Sequence, residues 1–344
     1  RMTMNIKEIA RQAGVSVATV SRVLNHPGTV APKTRERILA LMTEMNYKPN
    51  WFARSLNFNR TDTLALLIPS IMNPAYVEIA EGVESVANQK GYTVLLCITE
   101  GEVEKERRYI QTLIDRRVDG VILVSSLLNN DDLNRLKQQG VAVVLVGENN
   151  GNSPEPMVRI DCCSASYQAV CHLLNCGHRD IALVYGRTPV MENKNKIEGY
   201  IKALREAGIP VRENFLIEEE NTIEGGYVAT RKLLGLKKRP RAIFATSDLL
   251  AFGVIDALRD EELHIPEEVA VMGFDNIRIS NLMVPKLSTV AKPLHKMGLS
   301  GARLLLDVIE SGEDGDLIVK EIILQSKLKI RKSCGHKERI KEIF

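Results

Sequence analysis

Four side chains near the start of the sequence carry hydrogen-bonding groups that could contact nucleic acid. They lie within GVSVATVSRVLN (14–25) and are Ser16, Thr19, Ser21 and Arg22. The guanidinium of arginine can donate two hydrogen bonds to guanine, and hydroxyls can bond to phosphates or to bases. The small apolar Val17 and Ala18 beside them can touch thymine methyl groups or permit close approach. If this segment is a helix, its exposed face therefore has the chemistry of DNA recognition.

A second group of polar residues directly follows the apolar runs of the remaining sequence. Its members are Ser70, Asn73, Ser125, Ser126, Glu148, the segment 186–196, Asn221, Thr222, Ser247, Asp248, Asp275 and Asn276. Taken singly, such residues are most often helix caps or turn formers. Ligands of open α/β sheets bind beyond the carboxyl ends of the strands, where these residues would lie. Together they are typical of a site that binds the hydroxyls of a sugar or a nucleoside.

The sequence lacks the common motifs of α/β enzymes, namely a G-x-G-x-x-G after a strand, a Walker loop and a G-x-S-x-G nucleophile turn. Its six cysteines form no C-x-x-C pair and no cluster with histidine along the chain, so we expect buried thiols rather than a zinc site or disulfides. His172 and His178 flank the end of a predicted helix, where capping is the expected role. We therefore predict no catalytic residue, metal or cofactor. A sugar-binding or sugar-modifying α/β protein with an incidental helix-turn-helix is the alternative.

Three short helices are predicted to position the face that could contact DNA. Apolar residues recur at helical spacing in IKEIARQAG, and Gly14 can end that helix in a left-handed conformation. Ser16 is a favoured N-cap for the next helix, and Val15 with Val20 has the spacing of a hydrophobic staple. Pro32 suits the first position of a third helix. This is the pattern of a helix-turn-helix module, whose second helix enters the major groove; a plain helical hairpin is the alternative.

The charge of the chain is unevenly distributed. The net charge is +3, but residues 1–60 hold ten basic and three acidic residues, while the remainder holds 36 basic and 40 acidic ones. A small basic module is thus joined to a large, mildly acidic body. This distribution is expected when only the module meets a polyanion.

The body shows the pattern of two α/β lobes in tandem. Apolar runs of strand length alternate with amphipathic segments; the runs are TLALLIPS, YTVLLCIT, DGVILVSS, VAVVLVGE, IALVYG, AIFATS and VAVMGFD. Continuous apolar runs of this length are typical of parallel sheets covered on both faces. Two such lobes imply a cleft between them, lined by the polar residues that follow the strands.

The length and composition fit a folded protein with more than one domain. The chain has 344 residues, of which 44% are hydrophobic and 26% are charged. It contains no apolar run of about 18 residues and no signal-peptide core, so we expect a cytoplasmic protein without a membrane partner. A secreted ligand-binding protein for transport is excluded on the same ground.

The stretch IKEIARQAGVSVATVSRVLN, followed by VAPKTRERI and NYKPNWFARSL, resembles the DNA-binding headpiece of the lactose/galactose repressor family of bacterial transcription regulators. The resemblance runs from residue 4 to about residue 332. It implies an N-terminal all-α helix-turn-helix headpiece and an α/β periplasmic-binding-protein-like effector domain of two doubly wound parallel-sheet lobes. The implied boundaries are 1–49 for the headpiece, 50–61 for a hinge helix and linker, 62–332 for the effector domain and 333–344 for a tail. Lobe one takes residues 62–160 and 293–321, and lobe two takes residues 161–292 and 322–332.

The resemblance also implies which residues contact DNA. In relatives the hinge helix orders on operator DNA and pairs with its dimer mate in the minor groove, where a leucine wedges between base steps and bends the duplex. Leu56 holds that position here, with Ala53 and Arg54 at the other groove-facing positions. The full predicted set is Ser16, Val17, Ala18, Thr19, Ser21, Arg22, Asn25, Thr29, Lys33, Asn50, Ala53, Arg54 and Leu56.

In the same way, the resemblance places a small carbohydrate-like effector in the cleft between the lobes. The predicted contacts are Asn73, Tyr76 and Ser126 from the first lobe and Lys194, Lys196, Asn221, Ser247, Asp275 and Lys292 from the second. Within the motif GFDN, Asp275 is expected to accept hydrogen bonds from two ligand hydroxyls.

Three departures from the family pattern suggest that the effector is anionic. Val146 stands where several relatives carry an aspartate, Lys292 stands where glutamine is common, and Lys194 adds a further cation. A buried cation is tolerated only where it meets an opposite charge, so we predict a sugar acid or a sugar phosphate. The alternative is that Lys194 points into solvent and that Lys292 pairs with Glu148 or Asp275.

The expected partners are operator DNA, the effector and a second copy of the chain. Readers of the major groove of this type bind a near-palindrome as two-fold dimers, and the tail is too short for the heptads of a tetramerising coil. The family resemblance implies that closure of the cleft changes the spacing of the hinge segments. Control by a protein coregulator is the alternative within the family; helix HKMGLSGARLLLD keeps Arg303 but departs at His295 and Lys296.

Overall fold

The computed structural model of this chain describes residues 6–25, 27–45, 60–148, 153–187, 191–311 and 320–335. The chain divides into two compact units, Arg1–Thr61 and Asp62–Phe344. The division coincides with the predicted start of the effector domain.

The first unit consists of three helices around a small apolar core. They are α1 (Ile6–Gln12), α2 (Val17–Asn25) and α3 (Pro32–Glu44), with a short 3-10 turn at Pro27–Thr29 between the last two. The buried core is formed by Ile9, Ala10, Ala13, Val20, Val23, Ile38 and Met42. All three helices contribute to it, so their orientations are coupled. The predicted order of a helix, a tight turn, a second helix and a third helix is confirmed.

The turn between α1 and α2 is built as the sequence predicts. Gly14 has a φ of +63°, a left-handed conformation that glycine adopts without steric cost. The Ser16 hydroxyl oxygen accepts a hydrogen bond from the Thr19 backbone N–H at 3.1 Å, which caps α2. Val15 packs against the core that contains Val20, as expected of a hydrophobic staple. These local contacts fix the angle at which α2 leaves the turn.

The second unit is built from strands and helices in alternation. Its described strands are β1 (Thr63–Ile68), β2 (Thr93–Ile98), β3 (Gly120–Val124), β4 (Ala142–Val146), β5 (Met157–Ile160), β6 (Ile181–Gly186), β7 (Leu216–Glu219), β8 (Ala242–Ala245), β9 (Ala270–Asp275), β10 (Ser288–Ala291), β11 (Glu321–Leu324) and β12 (Lys327–Lys329). Its described helices are α4 (Pro74–Gln89), α5 (Val103–Asp115), α6 (Asn130–Gln138), α7 (Cys162–Asn175), α8 (Met191–Glu206), α9 (Ile223–Leu234), α10 (Asp248–Asp260) and α11 (Leu294–Ser311).

The strands form two sheets of six, one in each lobe. The first sheet has the order β11-β5-β4-β3-β1-β2, and all its neighbouring pairs are parallel. The second has the order β12-β10-β9-β8-β6-β7 and is parallel except for the antiparallel edge pair of β10 and β12. Strands β3, β8 and β9 are buried along their whole length. Burial on both faces explains why their sequences are continuously apolar.

The chain crosses between the lobes three times. It leaves the first sheet after β5, returns from β10 into α11, and passes from β11 to β12. Strand β11 pairs with β5 through Leu324, opposite Ile160. The predicted boundary at 321/322 is therefore wrong by three residues, and the third crossing falls at residues 325–326. That boundary was implied by the family resemblance, and β11 and β12 have only four and three residues from which to place the crossing.

Helices α4 and α11 of the first lobe pack with almost no space between their backbones. A Cβ atom built on Gly298 would lie 2.0 Å from the Ile79 carbonyl oxygen, and one on Gly82 would lie 2.2 Å from the His295 carbonyl oxygen. No side chain fits at such distances. The two glycines therefore hold α11 against the helix that begins at the cleft.

The seven strands expected from apolar runs are all present as β1, β2, β3, β4, β6, β8 and β9. The five strands that were not expected, β5, β7, β10, β11 and β12, have three or four residues each. Each of them contains at least one polar or charged residue, which breaks the apolar run, whereas the equally short β8 is apolar throughout. Among the described residues, no helix is both long enough and apolar enough to cross a membrane.

Candidate functional site

The face of α2 that the sequence assigns to DNA is open. Ser16, Val17, Ala18 and Arg22 are exposed, and Val17 retains 40% of its accessible surface although it is apolar. Thr19 and Ser21 are half-buried at the edge of the same face, where the Thr19 hydroxyl lies 2.9 Å from that of Ser16. The opposite face carries the buried Val20 and Val23. The helix thus presents small side chains and one guanidinium outward.

Two further predicted DNA contacts lie in the same unit, at the start of α3 and just before it. Thr29 and Lys33 are both exposed. Asn25 is the last residue of α2, but its side chain lies outside the described residues. The same holds for the hinge positions Asn50, Ala53, Arg54 and Leu56, which therefore stay predictions.

The second unit contains a cleft between its lobes at the carboxyl ends of both sheets. It is lined by residues that follow β1, β3, β4, β8, β9 and β10, together with the first turns of α4 and α8. The lining includes seven of the nine predicted effector contacts, which are Asn73, Tyr76, Lys196, Asn221, Ser247, Asp275 and Lys292. The structure thus brings together residues that are up to 219 positions apart in the sequence.

Helix starts and strand ends place the polar groups of the cleft. Asn73 caps α4, its side-chain oxygen accepting from the Ala75 backbone N–H at 3.0 Å. Ser247 caps α10, where it accepts from the Leu250 N–H at 3.2 Å, and its hydroxyl donates to the Asn221 side-chain oxygen. The predicted roles as caps and as cleft residues are therefore compatible, since the caps themselves lie at the cleft.

A cluster of four buried charges occupies the floor of the cleft. The Glu192 carboxylate accepts from the Lys196 ammonium at 2.9 Å and from the Lys292 ammonium at 2.8 Å. Lys292 also lies 4.0 Å from the Asp275 carboxylate. Lys196 further donates to the Thr246 carbonyl at 3.0 Å. Two cations thus face two carboxylates, so the cluster carries no net charge when all four groups are ionised.

Burial and pairing act in opposite directions on these groups. Burial by itself favours the neutral carboxyl of Glu192, but the attraction of Lys196 and Lys292 outweighs it and holds the pKa of Glu192 far below its usual value. Burial likewise disfavours the charged form of Lys292, yet the Glu192 carboxylate raises the pKa of Lys292. These three groups therefore keep their charges over the physiological range.

Asp275 differs from Glu192 because the nearby lysines offset the cost of burying its carboxylate less completely. Desolvation raises the pKa of Asp275 to about 6, against the opposing attraction of Lys292 and Lys196. Its backbone φ is +116°, and that of Asn276 is +60°, both in the left-handed region that disfavours residues with a side chain. Strained backbone of this kind is found at ligand sites, where the surrounding structure enforces it.

The enforcing contacts come from Asp248, which is fully buried behind Asp275. Its carboxylate accepts hydrogen bonds from the Ile277 N–H at 2.9 Å, the Ser280 hydroxyl at 2.5 Å and the Thr289 hydroxyl at 2.6 Å. Burial, and then the nearby Asp275 carboxylate, raise the pKa of Asp248 to about 7. Asp248 therefore holds the loop after β9 and positions Asp275.

Two predicted effector contacts do not lie in the cleft. Ser126 is buried, but its hydroxyl donates to the Glu106 carboxylate at 2.9 Å, and its neighbour Ser125 lines the cleft instead. Lys194 is exposed and is not part of the lining. The single-residue offset at Ser125 has a local reason, since its φ of +49° reverses which side chain points into the cleft.

The placement of the lysines removes the reason given for an anionic effector. Lys194 faces solvent, and Lys292 is paired, as the alternative interpretation expected, although its closest partner is Glu192 rather than Glu148 or Asp275. Glu192 is predicted only as part of the polar segment 186–196 and not as a separate site residue. Its spacing of four residues before Lys196 in a helical segment could have revealed it, because such residues share one helix face.

The comparisons with known proteins cover both units. The family of bacterial regulatory proteins of the lacI type matches residues 5–50, and the family described as periplasmic binding proteins and sugar binding domain of the LacI family matches residues 61–331. Catabolite control protein A of Priestia megaterium is 36% identical over 306 residues, which are 88% of this chain and 92% of that protein.

Two solved structures extend the similarity to three dimensions. The lac repressor dimer bound to operator and the anti-inducer ONPF has a TM-score of 0.85 at 25% identity, covering 96% of this chain and 99% of that one. A complex of the transcriptional regulator CelR with cellobiose has a TM-score of 0.73 at 30% identity, with the same coverage.

A helix-turn-helix unit followed by a two-lobed periplasmic-binding-protein-like domain defines a DNA-binding transcription regulator with a ligand-binding domain, and not an enzyme. Within that class, this chain belongs to the LacI family of bacterial regulatory proteins. The family resemblance found in the sequence is thereby confirmed, and so is the predicted fold class.

Proposed function

We propose that this regulator is a repressor that binds a near-palindromic operator as a homodimer and is switched by a neutral, carbohydrate-like effector in the cleft. The exposed face of α2, with Arg22 as its only arginine, reads base edges in the major groove. Thr29 and Lys33 contact the phosphate backbone, and the hinge residues Asn50, Ala53, Arg54 and Leu56 contact the minor groove. The effector alters the relative orientation of the lobes and thereby the spacing of the two headpieces.

The charge balance of the cleft is the observation that carries the effector class. Because Glu192 neutralises both buried lysines together with Asp275, an anionic ligand would add an uncompensated charge to a desolvated site. A neutral polyol adds none. Its hydroxyls can donate to the Asp275 carboxylate and exchange hydrogen bonds with the Asn221 and Ser247 side chains. The complex of the similar CelR with cellobiose supports the same class.

Exposed apolar side chains support the homodimer. In the second unit, Met72, Leu282 and Val284 retain 81%, 77% and 69% of their accessible surface. The ion pair between Arg278 and Glu81, at 3.8 Å, joins the segment that carries Leu282 to helix α4, which follows Met72. Large apolar side chains with this much exposed surface are typical of a protein interface.

A protein coregulator is the second candidate for the switching signal. The chain is similar to catabolite control protein A, and Arg303, a residue kept in the branch of the family that responds to a coregulator, is exposed on α11. His295 and Lys296, which depart from that branch, are exposed on the same helix. A small effector remains the primary proposal because the cleft is built with buried polar groups.

The experiment separates the effector classes with matched ligands. Operator fragments are first selected from genomic DNA with the full chain, and binding is then measured calorimetrically for each aldose beside its aldonate, uronate and phosphate. We expect a neutral member to bind and to change operator affinity. Binding of the acidic members alone would reject the neutral class, and a response that requires a cell extract protein would favour the coregulator.

A further inference from the structure

We propose that the second lobe carries a binding site for a thiophilic transition-metal ion such as Zn²⁺, formed by His172, Cys176 and Cys334. The site lies at the end of α7, among groups that neither the cleft nor the DNA-binding face uses. The proposal is independent of the effector and of the proposed function.

The distances among the three side chains match the edges of a metal tetrahedron. His172 Nε2 lies 3.3 Å from Cys334 Sγ and 3.5 Å from Cys176 Sγ, and all three atoms lie within 4.8 Å of one another. With Zn–S and Zn–N bonds of about 2.3 and 2.0 Å, tetrahedral angles place nitrogen and sulfur about 3.5 Å apart and two sulfurs about 3.8 Å apart. The ligand atoms are thus already near the positions that a bound ion requires.

Two of the ligands come from one rigid element. His172 lies in the last turn of α7, and Cys176 is the residue that caps its carboxyl end, four positions later. Residues four apart share a helix face, so both side chains point to the same side. The backbone N–H of Cys176 donates to the His172 carbonyl at 3.0 Å, which keeps the spacing helical up to the second ligand.

The third ligand is delivered by the segment that follows β12. Its neighbour Ser333 is tied to the sheet: the hydroxyl donates to the Val271 carbonyl at 2.7 Å and accepts from the Ser288 N–H at 2.8 Å. The Ser333 carbonyl accepts from the Val271 N–H at 2.7 Å. Cys334 is fully buried as a result, while His172 and Cys176 are half-buried. The pocket is therefore preformed on its inner side and open on the other.

One nitrogen and two sulfurs form a soft ligand set that suits zinc and leaves a fourth position for water or an added ligand. A bound ion would join α7 to the segment that contains Ser333 and Cys334. The ligands Cys176 and Cys334 are 158 positions apart in the sequence. The bound ion would thereby stabilise the lobe that carries half of the cleft. Both thiols are reduced, so they can act as ligands.

A disulfide between Cys176 and Cys334 is the competing use of the two thiols. It would not need the histidine, whereas the imidazole nitrogen lies within 3.5 Å of both sulfurs. The position of His172 between the thiols therefore favours a metal ion.

The test uses the full chain, reduced and freed of metal with a chelator. Zn²⁺ is titrated against a chromophoric competitor, and Co²⁺ serves as a spectroscopic probe because thiolate ligands give it a charge-transfer absorption. We expect one ion per chain with that absorption. Cys176→Ser should weaken Zn²⁺ binding by more than about 100-fold and His172→Gln by at least about tenfold, because even partners outside the ligand set contribute on that scale. Cys163→Ser, on the same helix but outside the cluster, should leave the affinity unchanged.

Because Cys334 is buried, its serine variant could unfold, so the wild-type chain provides the second measurement. Zn²⁺ should slow alkylation of Cys176 and Cys334 but not of Cys163. The proposal is overturned if Zn²⁺ binds equally to the wild type and to Cys176→Ser, or if it protects neither thiol. It is also overturned if the unreduced chain holds a Cys176–Cys334 disulfide and the reduced chain takes up no metal.

Discussion

At the scale of single residues, the cleft contains two carboxylates, Glu192 and Asp275, whose environments differ. Glu192 meets two ammonium groups below 3 Å and stays ionised, whereas Asp275 has only one cation at 4.0 Å and a raised pKa. The two acids are therefore suited to different tasks. Glu192 neutralises the lysines, and under the proposed function Asp275 accepts hydrogen bonds from the effector.

The first prediction concerns the pH dependence of effector binding. Since the pKa of Asp275 is raised to about 6, its carboxylate is mostly ionised at pH 7 and mostly protonated at pH 5. A ligand that donates hydroxyls to the ionised form should bind about tenfold more weakly for each pH unit below 6 and uniformly above pH 7. Calorimetric titrations between pH 5 and 8 measure this dependence.

The matched variant for this prediction is Asp275→Asn, which keeps the shape of the side chain but cannot ionise. It should bind the effector weakly and with a flat pH profile. Glu192, Lys196 and Lys292 keep their charges over this range, so they do not contribute to the slope. The buried Asp248, whose pKa is raised to about 7 and which positions Asp275, is the other group that can titrate in this range. An unchanged slope in Asp275→Asn would show that another group titrates.

At the scale of elements, helix α2 shows how local sequence sets a recognition surface. Gly14 reverses the chain, the Ser16 hydroxyl caps the helix, and Val20 anchors it in the core. With those three positions used for structure, the exposed side chains are free to contact DNA. In the proposed complex Ser16 would serve both purposes, because this capping residue is exposed at the amino end of the helix.

The second prediction distinguishes sequence-specific contacts of Arg22 with bases from nonspecific electrostatic attraction to DNA. Arg22→Ala removes a guanidinium from the exposed face of α2, and a lost bidentate contact to guanine costs about 1–3 kcal/mol of discrimination. Arg11→Ala removes the same charge from α1, where the guanidinium is paired with Glu8. We expect Arg22→Ala to lower the ratio of operator to nonspecific affinity at least about fivefold, and Arg11→Ala to leave that ratio nearly unchanged.

Fluorescence anisotropy with operator and scrambled duplexes, at two salt concentrations, measures this ratio. Effector binding should be the same in both variants, because the substitutions lie in the first unit. Equal ratios in the two variants would mean that Arg22 contributes only charge and that α2 does not read bases through it.

At the scale of the whole molecule, regulation requires that the state of the cleft reaches the DNA-binding units. The three crossings between the lobes, after β5, β10 and β11, form the covalent connections about which the lobes can move. Lys292, which lines the cleft, directly follows β10 at the second crossing. Glu148, the neighbour of the lining residue Gly147, accepts a hydrogen bond from the Cys162 N–H at the first crossing. The proposed effector would therefore bind next to the second of these connections.

The third prediction tests the proposed dimer. Leu282→Glu places a charge on a side chain that is 77% exposed and is one of the exposed apolar side chains described above. If these side chains form the interface, the charge would be buried without a partner, so the dimer should dissociate. Operator affinity should fall by at least about 100-fold, since one headpiece supplies only half of the contacts.

Analytical ultracentrifugation measures the assembly, and calorimetry checks that effector binding is retained. Ile323→Glu is the matched control, because Ile323 is 52% exposed and lies on β11, the edge strand of the first sheet, whereas Leu282 belongs to the second lobe. If the Leu282→Glu protein stays dimeric, the dimer interface lies elsewhere on the chain.

The amino-acid sequence by itself determined the class of this protein and most of its architecture. Helix periodicity, the Gly14 turn and the Ser16 cap predict the first unit, and seven apolar runs predict seven of the strands of the lobes, including every strand of five or more residues that the structure describes. These features are local, since caps, turns and side-chain periods depend on neighbours within a few residues. The same holds for the strand ends, which contain five of the seven proposed effector contacts that line the cleft, while Tyr76 and Lys292 came from the family resemblance.

Only the tertiary structure decided what these polar side chains meet. The partnership of Glu192 with Lys292 spans 100 positions, that of Cys176 with Cys334 spans 158, and the turn of Ser126 toward Glu106 depends on the backbone of Ser125. Electrostatic and metal-binding chemistry depends on distances of a few ångströms between groups that the chain brings together by folding. Sequence spacing contains no such distances, and this is why charges that suggested an anionic ligand are neutralised in the folded cleft.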